Sequence, residues 1–191
     1  GDPLRHIHWK SWARTGIPIV KEYEDVFFPR YGLILDTFAS QEQADLFEEA
    51  VSVAASFAAS IDTQESLLDL MFIHDEAFVF SSGRGEERVD SILEILAGVN
   101  CEPRTDFDAL QKLVLQYSDE LTASICVFTG WCEQRCDTIS RLHRAGMDLV
   151  ILAICRNSEE AAQLQELHPS PLPVHWLRVD HVEADLAMIK A

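Results

Sequence analysis

An apolar run that stops at an acid and turns straight into a helix constrains this chain more than any other feature. Tyr31-Gly32-Leu33-Ile34-Leu35 runs into Asp36-Thr37-Phe38-Ala39-Ser40, and a long helical period opens at Gln41. A strand that is apolar at consecutive positions is buried on both faces, as in a mostly parallel sheet covered by helices. Leu149-Val150-Ile151-Leu152-Ala153-Ile154 reads the same way. The pattern predicts strands over 31–36, 67–74, 77–81, 124–129, 148–155 and 174–179. It predicts helices over 41–61, 88–98, 106–118, 132–145, 158–167 and 182–190. Alternating β and α elements place the chain in the α/β class.

Two details refine this. His74-Asp75-Glu76 is too short a connection for a parallel crossover, so strand 77–81 is expected to run antiparallel to 67–74 as a reversed edge. In helix 41–61, Phe47, Ala50, Val51, Ala54, Phe57, Ala58 and Ile61 share one face, and its alanines suit close packing on the sheet.

The chain carries 32 acidic and 15 basic residues, a net charge of -17, which disfavours nucleic acid and anionic membranes as partners. Residues 1–30 hold five basic and four acidic residues, together with Trp9 and Trp12. Residues 31–191 hold 10 basic and 28 acidic ones. The first 30 residues therefore read as an arm ahead of a single domain over 31–191. The start Gly1-Asp2-Pro3 is expected to be an internal point of a longer protein, and no apolar run approaches the roughly 20 residues of a membrane helix. Five cysteines without framework spacing point to a reducing, cytoplasmic setting.

The loop after the first strand holds oxygen donors of the kind a hard divalent cation such as Mg2+ or Mn2+ takes. Asp36 supplies a carboxylate and Ser40 a hydroxyl. The stretch Thr105-Asp106-Phe107-Asp108-Ala109-Leu110 adds Thr105 as a third candidate. The arrangement resembles the Asp-x-Ser-x-Ser metal site of von Willebrand factor A domains. Here the middle serine is Phe38, and the turn after strand 124–129, Thr129-Gly130-Trp131, lacks the acid such domains place there. The same residues also suit plain structure, since Ser40-Gln41-Glu42-Gln43 forms a capping box and Thr105 to Asp108 resembles another. A degenerate site is expected, with a cation-dependent site as the alternative.

Other motifs are weaker. Cys132, Cys136, Ile139 and His143 form a stripe expected to face the core. His143 stands about 10 Å along the helix from Cys136, too far for one zinc ion to take all three ligands. Cys126 and Cys155 sit in apolar strands as small hydrophobes. Ser82-Gly83-Arg84-Gly85 lacks the P-loop and dinucleotide spacings, and no Gly-x-Ser-x-Gly nucleophile motif occurs. No enzyme is expected.

The arm carries the most specific pattern: Gly1, Asp2, Arg5, Ile7, Trp9, Ala13, Arg14, Val20, Tyr23 and Glu24, followed by Leu35-Asp36-Thr37. It resembles the hallmark of the bacterial domain of unknown function 58 family. That resemblance implies a three-layer, von Willebrand A-like (Rossmann-like) domain with a mostly parallel central sheet. It also implies a parent protein with N-terminal membrane segments, and a MoxR-type AAA+ ATPase as partner. On this reading the chain is a non-enzymatic protein-interaction or scaffold module. Asp2, Arg5, Trp9 and Arg14 are its candidate docking residues, and Asp36, Ser40 and Thr105 a residual metal site that needs no cofactor.

Overall fold

The computed structural model describes residues 28–61, 66–82, 86–102 and 107–189. The candidate arm residues Asp2, Arg5, Trp9 and Arg14, and the candidate ligand Thr105, lie outside them. Six strands form one sheet: β1 (Arg30–Leu35), β2 (Leu67–His74), β3 (Glu76–Ser82), β4 (Ala123–Phe128), β5 (Leu149–Cys155) and β6 (Val174–Arg178). Their order is β3-β2-β1-β4-β5-β6. All pairs are parallel except β2 with β3, whose register puts His74 opposite Glu76 across a one-residue turn. Asp75 occupies that turn at φ 51. The reversed edge strand is the one the short connection predicts.

Successive side chains of a strand face opposite sides of the sheet, and here the two sides meet different helices. On one side, Leu33, Leu35, Leu70, Phe72, Val127, Leu152 and Ile154 pack on α1 (Ala44–Ser60), α2 (Glu86–Gly98) and α6 (Val182–Leu186). On the other, Ile34, Met71, Cys126, Phe128, Ile151 and Ala153 pack on α3 (Phe107–Gln116) and α4 (Glu133–Arg144), with Leu164 of α5 (Ser158–Leu167). The result is three layers. Each fully buried Leu or Ile contributes roughly 1.5–3 kcal/mol of transfer free energy. The alanines of α1 behave as expected, with Ala50, Ala54 and Ala58 wholly buried.

Helix α4 departs from its predicted face. Its buried residues are Arg135, Thr138, Ile139 and Leu142, while Cys132 and Cys136 are half-buried and His143 is exposed. The helix is rotated so that a charged residue, Arg135, takes a place the apolar pattern gave to cysteine.

One row across the sheet is tight. Gly32 on β1 pairs with Asp69 on β2 and Ser124 on β4. A Cβ on Gly32 would come 2.8 Å from Ser124 Oγ and 3.0 Å from Leu121 Cδ1. Ser124 Oγ is itself buried without a hydrogen-bond partner. Gly32→Ala is therefore expected to destabilise by about 1–3 kcal/mol through overpacking. Ser124→Ala removes an unsatisfied hydroxyl and should be neutral or mildly stabilising. The double variant should recover most of the loss in urea titrations. Additive effects of the two changes would show that Ser124 is not the obstacle.

Candidate functional site

In an open α/β sheet the crevice forms outside the carboxyl ends of the strands, where neighbouring connections leave in opposite directions. Here that point lies between β1 and β4. Asp36 follows the last residue of β1, and its amide donates to Val127 O of β4 at 2.9 Å. Thr129 follows β4. Both are wholly buried.

The Asp36 carboxylate is fully engaged. Oδ1 accepts from the Phe38 amide at 2.9 Å. Oδ2 accepts from the Thr129 amide at 3.1 Å and the Thr129 hydroxyl at 3.0 Å. The same oxygen takes Arg135 Nε at 2.7 Å, with Nη2 also 2.7 Å away. Arg135 is only 8% exposed. Its other two nitrogens are engaged as well: Nη2 reaches Phe38 O at 3.0 Å and Thr129 Oγ1 at 3.1 Å, and Nη1 reaches Cys132 Sγ at 3.3 Å. The guanidinium carbon stands 5.1 Å from the Phe107 ring centroid, within cation–π range. Burial works against the charge on Arg135, but Asp36 and Cys132 outweigh it and hold its pKa above the ordinary arginine value.

This geometry explains the rotation of α4. An unpaired carboxylate at the β1 terminus would be a costly buried charge, and the turn after β4 supplies no metal-binding acid to help hold a cation there. Arg135 enters from α4 and neutralises it. Sequence reasoning missed this residue. The available signal was the missing acid at Thr129-Gly130: an Asp36 site without a second carboxylate needs a different cation, and Arg135 is the first basic residue after β4.

Of the other two candidates, Thr105 lies outside the described residues and Ser40 stands apart from Asp36. Ser40 is exposed, and its hydroxyl faces Gln43 Oε1 at 3.4 Å. Its amide donates to the same oxygen at 3.3 Å, while the Gln43 amide donates to Ser40 O at 2.9 Å, which is helix-capping geometry. Phe38 turns its ring into the core, edge-on to Phe107 at 4.8 Å, and offers the site only its backbone amide and carbonyl. Among the described residues a divalent ion does not fit here, because the one carboxylate is already charge-paired with Arg135 and the oxygens beside it are hydrogen-bonded to that guanidinium. Among the described residues no three His, Cys, Asp or Glu side chains converge on a metal position. Burial pushes the thiols of Cys126 and Cys155 up to about 12 and about 11, so both are inert hydrophobes.

Neighbouring aromatics fix the rim. Trp131 Nε1 donates to His168 O at 2.8 Å, and the Trp131 ring meets Phe128 and Trp176 edge-on. Cys136 Sγ reaches the same His168 carbonyl at 3.3 Å. These contacts tie the proline-rich 168–173 segment to α4 and the turn before it.

The fold is that of a von Willebrand A-type domain. Solved structures similar to it include a von Willebrand factor type A protein from Catenulispora acidiphila, with a TM-score of 0.58 and 13% identity over 84% of this chain and 42% of that one. An aerotolerance-related membrane protein from Bacteroides fragilis aligns with a TM-score of 0.55 and 13% identity over 84% of this chain and 96% of that one. The chain belongs to the family described as "Protein of unknown function DUF58", whose model matches residues 1–164. It is also 31% identical over 102 residues to the uncharacterized protein YeaD of Bacillus subtilis, covering 53% of this chain and 25% of that protein. Domains of this fold often mediate protein interactions. No helix among the described residues is long and apolar enough to cross a membrane.

Proposed function

We propose that this domain is a non-enzymatic, metal-independent protein-interaction module, acting on the cytoplasmic face of a membrane-anchored parent protein and partnering a MoxR-type AAA+ ATPase. One observation carries the reading: the crevice where an A-type domain would hold a ligand-bridging cation is spent on an internal Asp36–Arg135 pair. The Thr129 hydroxyl beside Asp36 is no catalytic pair, since both groups are fully buried and the carboxylate is already neutralised. Recognition is thereby left to the surface.

The surface offers a groove of about 610 Å³ between the β2–β3 hairpin and the end of α2. Phe72, Phe78, Ile95 and Val99 are its apolar members and Asp75, Glu76 and Glu94 its charged ones, and none of the described residues lining it is Lys or Arg. Such a groove suits a segment that is apolar on one side and basic on the other. Pull-down of the cognate ATPase by the whole chain tests the proposal. Capture is expected to be the same in EDTA and in magnesium, and to drop at least tenfold for Glu76→Lys/Glu94→Lys. The Arg5→Ala/Trp9→Ala/Arg14→Ala variant tests the arm in the same assay. Capture that requires a divalent cation would favour the cation-dependent ligand-binding alternative, and no capture with or without nucleotide would remove the partner.

A further inference from the structure

Three oxygens of different origin converge on one side of the Arg135 guanidinium. They are Asp36 Oδ2 at 2.7 Å, the Phe38 carbonyl at 3.0 Å and Thr129 Oγ1 at 3.1 Å. They come from the end of β1, the loop after it and the end of β4. A carboxylate, a backbone carbonyl and a hydroxyl form the all-oxygen set that hard divalent cations prefer.

We propose that this place is a cation site which the chain fills with its own side chain, so that Arg135 is a resident, non-exchangeable cation and its removal opens the site to a divalent ion. The inference deepens the metal-independent reading above, and rests on it only in taking the native site as closed.

Several features separate this from an ordinary buried ion pair. Arg135 donates to groups on both strand ends as well as to the loop, so it bridges what a multidentate ion would bridge. Four of its five N–H groups go to Asp36, Phe38, Thr129 and Cys132, and the residue is buried, which leaves little of it for an outside ligand. The carboxylate lies at the β1–β4 switch point, where this class of sheet binds ligands, rather than at an arbitrary place in the core. Truncation at Arg135 would remove the guanidinium and most of its stem. The Asp36 carboxylate would stay held by the Phe38 and Thr129 amides and the Thr129 hydroxyl, and the space would suit an ion that keeps several waters.

The test is chemical rescue of Arg135→Ala. Thermal melts are recorded with manganese, magnesium or about 20 mM methylguanidinium, well below the molar denaturing range. At ten times its dissociation constant, a bound ion should raise the Tm of the variant by about 3–6 °C. The wild-type Tm should not move, and manganese electron paramagnetic resonance should show bound ion in the variant alone. Adding Asp36→Asn should abolish the effect. If Arg135→Ala does not fold unaided, the same ions are added during refolding, and recovery of native circular dichroism replaces the Tm shift. The proposal is overturned if neither manganese nor magnesium stabilises or refolds the variant, if wild type responds equally, or if the rescue survives Asp36→Asn. The melts read the domain alone and the pull-down reads a second protein, so failure of one is distinguishable from failure of the other.

Discussion

Exchanging Arg135 for methionine is expected to lower stability by about 3–5 kcal/mol, because it strands the wholly buried Asp36 carboxylate without a counter-charge. The informative comparison is the double variant Asp36→Asn/Arg135→Met. Asparagine removes the charge and keeps an acceptor for one of the Phe38 and Thr129 amides, which donate to different oxygens of Asp36. The double variant should therefore fall within about 1–2 kcal/mol of wild type, less of a loss than Arg135→Met alone. A buried pair is costly to break and cheap to replace, since desolvation of both ions offsets much of their attraction. Urea titrations of the four proteins give the coupling energy directly. Arg135→Lys is a sharper probe, as it keeps the charge but cannot donate in a fork to Asp36, Phe38 and Thr129 together. It should lie between wild type and methionine. Additive costs for Asp36→Asn and Arg135→Met would mean that the two side chains touch without depending on each other.

What could be read in the sequence follows from how local each signal is. Strand β5 and helix α1 announce themselves in contiguous or periodic apolar residues. The reversed β3 follows from a connection too short to cross over. Asp36 stood out because an acid ended an apolar run. Arg135 did not, because its partner is 99 residues away and its neighbours Glu133, Gln134 and Asp137 look like a solvated helix face. Local pattern gives the buried stripe of α4 to Cys132, Cys136, Ile139 and His143, and of these Ile139 is buried as expected. A long-range charge requirement rotated it to Arg135, Thr138 and Leu142 instead. Asp69 shows the same limit. It interrupts the run Leu67-Leu68-Asp69-Leu70-Met71-Phe72, a visible anomaly, but nothing nearby in sequence names the partner that makes it tolerable.

That partner is Arg30, and its removal is the second large effect expected. Arg30 was grouped with the arm on charge, yet it is the first residue of β1. Its Nε donates to Asp69 Oδ2 at 2.6 Å, Nη2 reaches Ser81 Oγ at 3.1 Å, and Nη1 pairs with Glu120. The side chain thus joins β2, the edge strand β3 and the segment leading into β4. Asp69 is wholly buried, and its Oδ1 already lacks a hydrogen-bond partner. Arg30→Ala would leave both oxygens of a buried carboxylate unpaired by charge, at a cost of about 3 kcal/mol. Asp69→Asn should cost less, because Arg30 is partly exposed and keeps Glu120 and Ser81. Losing the cation beside a buried anion is worse than losing the anion beside a half-solvated cation, and the two variants test that asymmetry in one urea series. Equal losses would mean that Arg30 acts only as a packing bridge between strands. A larger loss for Asp69→Asn would mean that the carboxylate, rather than the guanidinium, organises this end of the sheet.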